Sequence, residues 1–361
     1  MKPTKIIHDL GQSLWLDNST RDLLNSGTLQ RYIDELSVTG LTSNPTIFDH
    51  AIRNSPHYDA DIARKAPRAT SPEDLFFDLA LADLARAADL LQPIFALTDW
   101  IDGWVSLEVS PSLAYDAQSS LAAARDLHRR AGKPNLFIKI PGTAEGLPAI
   151  EAAIFAGIPI NVTLLFSREQ YVAAAEAYLR GIERRIEAGL NPAVASVASI
   201  FVSRWDVAVN GKVPAELTNR LGIAIAQRTY KAYSELLASA RFQRLANSGG
   251  RAQRLLWAST GTKDPKASDI LYVKALAAPF TVNTMPDGTL NAFADHGEVG
   301  EMLRPDGGEC EQNLATFAKA GIDVDALAAR LQKEGAASFV TSWNDLMTCI
   351  ESKRSAMRKA S

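Results

Sequence analysis

Lys139 stands in the apolar run "LFIKIP" (136–141), between Ile138 and Ile140. A lysine is almost never fully buried unless it has a partner or a function. Burial disfavours the ammonium form, and a neutral amine can attack a ketone to form a Schiff base. A structural lysine that extends to the surface, or pairs with a carboxylate, is the alternative. The pattern therefore predicts either amine chemistry or a structural cation at this position.

Two carboxylates lie at or near the ends of similar apolar runs. Asp17 ends "QSLWLD" (12–17), and Glu108 lies in "DGWVSLEV" (102–109). A Schiff base on Lys139 would allow an adjacent carbon–carbon bond to break, and either carboxylate could instead pair with the lysine. Burial raises the pKa of a glutamate, which suits it to proton transfer near neutrality. The alternatives are that Asp17 caps a helix beginning near Ser19 and that Glu108 only pairs with Lys139.

Eight short apolar runs carry these residues, and a polar turn and a helical pattern follow them. Such runs are typical of parallel strands covered on both faces. They span residues 12–17, 38–44, 102–109, 136–141, 158–166, 194–202, 254–260 and 279–285. The alternation predicts an α/β fold, a (β/α)8 TIM barrel. The competing fold is a doubly wound open sheet, but no glycine-rich dinucleotide motif follows the first run.

We predict one domain over residues 1–361, with the barrel at about 12–297 and a helical extension at about 298–361. Helix-start signals occur at "SPED" (71–74), "SP" (110–111) and "SREQ" (167–170), and the last has the form of a capping box. They predict long helices over 71–91 and 167–189. The extension should pack on the outside or cross the barrel mouth. The polar, glycine-containing segment 241–253 is predicted to be a mobile loop.

The carboxyl ends of barrel strands meet on one face, where active sites form. Seven of the eight runs carry polar residues near that end. They are Asp17; Asn44; Glu108; Lys139; Asn161 and Thr163; Ser199 and Arg204; and Ser259. Because side chains alternate along a strand, Asn161 and Thr163 share one face, as do Ser199 and Phe201. This repetition predicts a shared site.

Composition narrows the range of partners. The net charge of −3 supplies no basic field for nucleic acid or a membrane surface, so an acidic ligand must be held by local cations. Cys310 and Cys349 match no metal spacing and favour free thiols, and the five histidines show no ligand spacing. No signal peptide is evident, and no window has the roughly eighteen apolar residues of a membrane helix. We expect a cytoplasmic protein.

Eight segments, in order from about residue 14 to 297, resemble transaldolases. They are "LWLDNSTRDLL", "GLTSNPTIF", "SLEV", "FIKIPGTAEGLPAI", "GIPINVTLLFS", "ASVASIFVSRWD", "LLWASTGTKDP" and "TVNTMPDGTLNAFADHG". The resemblance implies a class I aldolase-like (β/α)8 barrel of the pentose phosphate pathway, without metal or organic cofactor. Such an enzyme moves a dihydroxyacetone unit from sedoheptulose 7-phosphate to glyceraldehyde 3-phosphate, giving erythrose 4-phosphate and fructose 6-phosphate.

The resemblance also implies catalytic roles. Lys139 matches the Schiff-base lysine, and Asp17 matches the carboxylate that exchanges a proton with the substrate hydroxyl. Glu108 and Thr163 match the pair that shuttles protons through a water molecule as the Schiff base forms.

Substrate-binding roles follow in the same way. The residues that match sugar-binding positions are Asn44, Asn161 and Ser199. Ser259 matches the serine at the end of the seventh strand of the family. Arg204 matches a phosphate-binding arginine, although a surface ion pair with Asp206 is the structural alternative. The chain departs from much of the family at Gly261, where a second phosphate-binding arginine is common. We predict that Lys263 supplies that charge instead, as a point charge.

Two other functions stay open at this stage. A fructose 6-phosphate aldolase-type lyase shares the barrel and the lysine, but it relies on a tyrosine where this chain has Phe201, which cannot transfer protons. A non-catalytic phosphosugar-binding barrel would not require Lys139, Asp17, Glu108 and Thr163 together. The expected partners are small sugar phosphates, with neither nucleic acid nor membrane. A homodimer is possible, and the sequence does not determine the oligomeric state.

Overall fold

Eight parallel strands close into a barrel in the order in which they occur along the chain. The computed structural model describes the backbone of residues 1–360 and the side chains of residues 1–356. The strands are β1 (Gln12–Asp17), β2 (Val38–Thr42), β3 (Trp104–Glu108), β4 (Leu136–Pro141), β5 (Ile160–Leu165), β6 (Ser196–Phe201), β7 (Gln253–Ala258) and β8 (Thr281–Met285). Each lies within or overlaps a predicted apolar run, so the predicted barrel is confirmed.

Helices connect successive strands and cover the outside of the barrel. They are α1 (Pro3–Asp9), α2 (Arg21–Asn25), α3 (Thr28–Leu36), α4 (Pro45–Asn54), α5 (Asp59–Lys65), α6 (Pro72–Leu97), α7 (Ala117–Ala131), α8 (Leu147–Phe155), α9 (Arg168–Glu187), α10 (Ser203–Val209), α11 (Leu221–Ala238), α12 (Ala240–Asn247), α13 (Leu271–Ala275), α14 (Asp287–His296), α15 (Cys310–Lys319) and α16 (Val324–Ala360). Short 3-10 turns lie at Pro56–Tyr58, Pro111–Leu113 and Ala215–Leu217.

Local signals predicted some helix boundaries and missed others. The Ser71 and Ser167 side chains accept hydrogen bonds from the first turns of α6 and α9, and the capping box at Ser167 is present. At Ser110 a helical turn starts at Pro111 as predicted, but only as a short 3-10 turn. The predicted cap was wrong, because the Ser110 hydroxyl pairs with Ser112, and the Asp116 side chain caps α7. The prediction of a loop over 241–253 was also wrong for its first part, because residues 241–247 belong to α12, where Phe242 is buried.

Aromatic side chains fill the barrel interior beneath the site. The rings of Trp104 and Phe137 stack with centroids 4.0 Å apart, and Trp15 lies beside Phe137 at 6.1 Å. The Trp15 indole donates to Asp102 at 2.8 Å. Gly40 makes room for this ring, since a Cβ there would lie 2.6 Å from it. These fixed groups anchor β1 two residues before Asp17.

The last helix, α16, runs across the barrel mouth from the ends of β4 and β5 towards α4, α5 and α6. At one end the Gln332 side chain donates to the carbonyls of Gly142 and Leu164, both at 3.0 Å. Further along, Lys353 donates to Asp59. Of the two placements predicted for the extension, α16 therefore takes the one across the mouth. Among the described residues, no helix combines the length and apolarity that crossing a membrane requires.

Candidate active site

A cavity of about 660 Å³ opens at the carboxyl ends of the strands. Nine of the eleven residues that the sequence singled out line it. They are Asp17, Asn44, Lys139, Thr163, Ser199, Phe201, Arg204, Ser259 and Lys263. The other two, Glu108 and Asn161, lie behind this lining, each beside one of its members. The barrel thus gathers at one cavity residues that are spread over much of the chain.

Lys139 occupies the centre of the site and is only 6% exposed. Strand register places it level with Glu108 on β3 and with Asn161 on β5. Its Nζ atom donates to the Ser43 carbonyl at 2.9 Å and lies 3.1 Å from Glu108 Oε2. The side chain therefore points into the barrel mouth. This geometry is compatible both with amine chemistry at Lys139 and with its ion pair to Glu108.

Glu108 and Thr163 contain buried polar atoms without a hydrogen-bond partner among the described residues. The Glu108 Oε1 atom and the Thr163 hydroxyl are of this kind, whereas Glu108 Oε2 makes the ion pair with Lys139. Burial raises the pKa of Glu108, although the positive charge of Lys139 opposes this rise. Buried polar groups normally have partners, so these atoms are suited to hold a small polar molecule between them.

Asp17 faces the cavity from the end of β1. The Thr42 hydroxyl donates to its Oδ1 atom at 2.8 Å, and Thr42 in turn shares a hydrogen bond with Thr284. Desolvation raises the pKa of Asp17, while the charge of Lys139 and the Thr42 hydrogen bond lower it. The alternative role as a helix cap is wrong, because the Thr20 side chain caps α2.

The two asparagines are held by different contacts. The Asn44 Oδ1 atom accepts from the Ile47 amide at 3.1 Å, so Asn44 caps α4 while it also lines the cavity. Its side-chain N–H groups remain to face a ligand. Asn161 is fully buried, donating to Ser106 at 3.2 Å and accepting from Ser199 at 2.7 Å. Its direct contact with a substrate stays a prediction, whereas its support of Ser199 is part of the structure.

Arg204 enters the cavity from α10 without an ion pair to Asp206. That carboxylate instead accepts hydrogen bonds from the Tyr272 hydroxyl at 2.8 Å and from the Leu221 and Gly222 amides. The structural alternative of a surface ion pair is therefore wrong. Desolvation lowers the pKa of Arg204. A guanidinium in this position offers its N–H fork to an anionic ligand.

The departure at Gly261 leaves the cavity wall without a side chain at this point. Gly261 lines the cavity next to Pro286, and a Cβ at this position would lie 3.2 Å from Pro286 Cγ. A longer side chain would require a small shift of this wall. Lys263, two residues further on, is exposed and also lines the cavity, so it is placed to add positive charge.

Several lining residues were not predicted as site residues, among them four with polar or aromatic side chains. His50 comes from α4 and Phe339 from α16, while Asn18 and Asp287 are joined by a hydrogen bond of 2.8 Å. The strand-end rule could have indicated Asn18 and Asp287, since they follow β1 and β8 closely. His50 and Phe339 sit inside helices, and nothing in their local sequence distinguishes them from other helical residues.

The fold and the site together define a barrel enzyme built around a buried lysine flanked by carboxylates. The transaldolase/fructose-6-phosphate aldolase family model matches residues 14–350. The transaldolase of Thiobacillus denitrificans is 44% identical over 97% of this chain and 100% of its own length. Those of Saccharopolyspora erythraea and Thermobifida fusca are 44% and 42% identical, covering 95% and 98% of this chain and 95% and 99% of their own lengths. The chain belongs to the transaldolase/fructose-6-phosphate aldolase family, and it is an enzyme of the transaldolase type.

Proposed function

We propose that this enzyme transfers a dihydroxyacetone unit from sedoheptulose 7-phosphate to glyceraldehyde 3-phosphate through a Schiff base on Lys139. The products are erythrose 4-phosphate and fructose 6-phosphate, a reaction of the pentose phosphate pathway. The observation that carries the proposal is the amine of Lys139, 6% exposed and 3.1 Å from Glu108, at a cavity that Asp17 also lines. Surface lysines do not have this combination of burial, carboxylate contact and access to a cavity.

The chemistry uses only side chains of the chain and water. Glu108, the nearest carboxylate, accepts the proton that Lys139 must lose before its nitrogen attacks the ketone carbon. Loss of water from the resulting carbinolamine leaves a protonated Schiff base. Asp17 then removes the proton from the hydroxyl on the far carbon of the bond that breaks. That oxygen becomes the carbonyl oxygen of the aldehyde that leaves, and the electron pair of the broken bond passes to the Schiff base. An enamine remains on Lys139, and it attacks the acceptor aldehyde by the reverse steps.

The unpartnered atoms of Glu108 and Thr163 support a water-mediated proton path at this stage. A water held between them can deliver a proton to the leaving hydroxyl of the carbinolamine. Thr163→Val keeps the shape of the side chain and removes the hydroxyl. We expect it to slow Schiff-base formation on the order of 10- to 100-fold.

The rate is measured by quenching with borohydride and following the adduct mass over time. Thr229→Val is the matched control, because Thr229 is a fully buried threonine that bonds within α11. An unchanged adduct rate in Thr163→Val would remove Thr163 from the proton path.

Arg204 and Lys263 supply the positive charge that a sugar phosphate needs in a chain of negative net charge. Arg204 is the main contact in this proposal because its fork is desolvated. Lys263→Ala should raise KM about two- to fivefold with little change in kcat, the range for an exposed charge pair. Steady-state kinetics test this, with the neighbouring exposed Lys266→Ala as control. A normal KM in Lys263→Ala would leave Arg204 as the only cation that binds the phosphate.

Transfer is favoured over release of free dihydroxyacetone because Phe201 stands at the end of β6, where a phenyl ring cannot move protons. The test begins with fructose 6-phosphate and borohydride, followed by mass spectrometry. A catalyst gains an adduct at Lys139, whereas a phosphosugar-binding barrel gains none. Assays with and without glyceraldehyde 3-phosphate then separate the two reactions. Turnover that requires the acceptor supports transaldolase, and turnover without it supports the lyase.

We infer a cytoplasmic site of action and small sugar phosphates as the partners. The inference on location is supported by Cys310 and Cys349, which are free and buried thiols. The inference on partners is supported by the size and polarity of the cavity lining. Both a monomer and a homodimer are compatible with the described chain, and sedimentation at several protein concentrations would separate them.

A further inference from the structure

Arg204 is held by aromatic rings instead of by a carboxylate. Among the described side chains, none forms a hydrogen bond or a salt bridge with its guanidinium, and the charge of Glu108 acts on it only at longer range. The Arg204 Cζ atom lies 5.1 Å from the centroid of the Phe201 ring and 5.6 Å from that of Phe339. The two ring centroids are 6.4 Å apart, so the Arg204 Cζ atom packs against both rings on one side of the pair. Contacts of this length are cation–π interactions.

The second ring comes from outside the (β/α)8 unit. Phe339 belongs to α16 and is 6% exposed. It lies on the same helical face as Gln332 and Gly335, which precede it by seven and four residues. The two hydrogen bonds of Gln332 to Gly142 and Leu164 fix this face at the ends of β4 and β5. The anchor at Gln332 therefore sets where the ring of Phe339 stands.

Gly335 permits this close approach of α16. A Cβ atom at this position would lie 3.1 Å from Arg204 Nη1 and 3.1 Å from Leu164 Cδ2. A glycine inside a helix costs roughly a factor of five in local helix stability relative to alanine. The glycine thus leaves space for the guanidinium at a position where alanine would favour the helix.

We propose that Phe339 is a positioning residue for Arg204, so that α16 sets the affinity of the site for phosphorylated sugars. The rings of Phe201 and Phe339 contact the guanidinium, and among the described side chains no carboxylate competes for its N–H groups. This proposal rests on the proposed function, because it assigns the phosphoryl group of the substrate to Arg204. It assigns α16 a role in the specificity for phosphorylated substrates.

Phe339→Leu removes the ring and keeps an apolar side chain, while Phe339→Tyr keeps the ring. In Phe339→Leu, KM for fructose 6-phosphate and for glyceraldehyde 3-phosphate should rise about tenfold, as should the inhibition constant of inorganic phosphate. We expect kcat to change little. The borohydride-trapped adduct with unphosphorylated dihydroxyacetone should form at the wild-type rate, and Phe339→Tyr should restore the wild-type KM.

Phe293→Leu is the matched control, since Phe293 is fully buried in α14 and packs in an apolar cluster that does not include Phe339. Unchanged phosphate constants in Phe339→Leu would overturn the proposal. An equal loss with dihydroxyacetone would also overturn it, because that result indicates general damage to the site. If the wild-type protein forms no adduct at Lys139, the proposed function fails, yet calorimetry with inorganic phosphate still tests whether Phe339 positions Arg204.

A second variant covers the case in which Phe339→Leu does not fold. Gly335→Ala should stay folded, because the gain in helix propensity offsets the tight contact of the new Cβ with Leu164 Cδ2. It should nevertheless raise the inhibition constant of inorganic phosphate severalfold, because the new methyl group crowds Arg204. A stable Gly335→Ala protein with wild-type phosphate binding would contradict the proposed contact.

Discussion

Replacing Lys139 with arginine is expected to lower kcat at least about 10⁴-fold while the protein stays folded. Arginine keeps the positive charge beside Glu108, so the buried pair with its carboxylate is retained. Its guanidinium does not lose a proton at accessible pH and cannot form a Schiff base with a ketone. The measurement combines steady-state turnover with intact mass after borohydride treatment in the presence of fructose 6-phosphate.

Lys133→Arg is the matched control, because Lys133 makes the same kind of ion pair, with Asp89, at the surface. It should keep full activity and full adduct formation. Thermal unfolding followed by circular dichroism shows that the barrel is intact, and Lys139→Met supplies an uncharged second variant. An adduct of wild-type yield on another residue of Lys139→Arg would refute the assignment of the nucleophile.

Asp17→Asn should separate Schiff-base formation from bond cleavage. The amide is nearly the same size and can still accept the hydrogen bond from Thr42, but it cannot take a proton from the substrate hydroxyl. We expect the trapped adduct with fructose 6-phosphate to form while turnover falls about 10²- to 10⁴-fold, the usual contribution of one general base.

Single-turnover quenching measures the two steps separately. Asp287→Asn is the comparison variant, since Asp287 is another carboxylate on the cavity wall but accepts a hydrogen bond from Asn18. Its effect should be much smaller than that of Asp17→Asn. If bond cleavage in Asp17→Asn proceeds at the wild-type rate, Asp17 has no part in the proton transfer.

The predicted barrel agreed with the structure because its strands are buried on both faces. Such strands are continuously apolar in sequence, so a polar residue within or directly after one is conspicuous. Lys139 and Asp17 were found in this way, and the closure of the barrel then brought them to one cavity. Arg204 was found with less certainty, because sequence position did not distinguish a cavity cation from a surface ion pair with Asp206.

The sequence by itself determined the alternation of strands and helices, the lysine within β4 and the polar residues at the strand ends. These features depend on local periodicity and on the rule that parallel strands place their carboxyl ends together. Only the tertiary structure decided that Phe339 meets Arg204, that Gly261 is confined by Pro286, and that Ser110 does not cap a helix. Each of these depends on the distance between segments far apart in the chain or on competition between neighbouring hydrogen-bond partners. Such contacts leave no periodic signal in the sequence, because they are set by how whole elements pack.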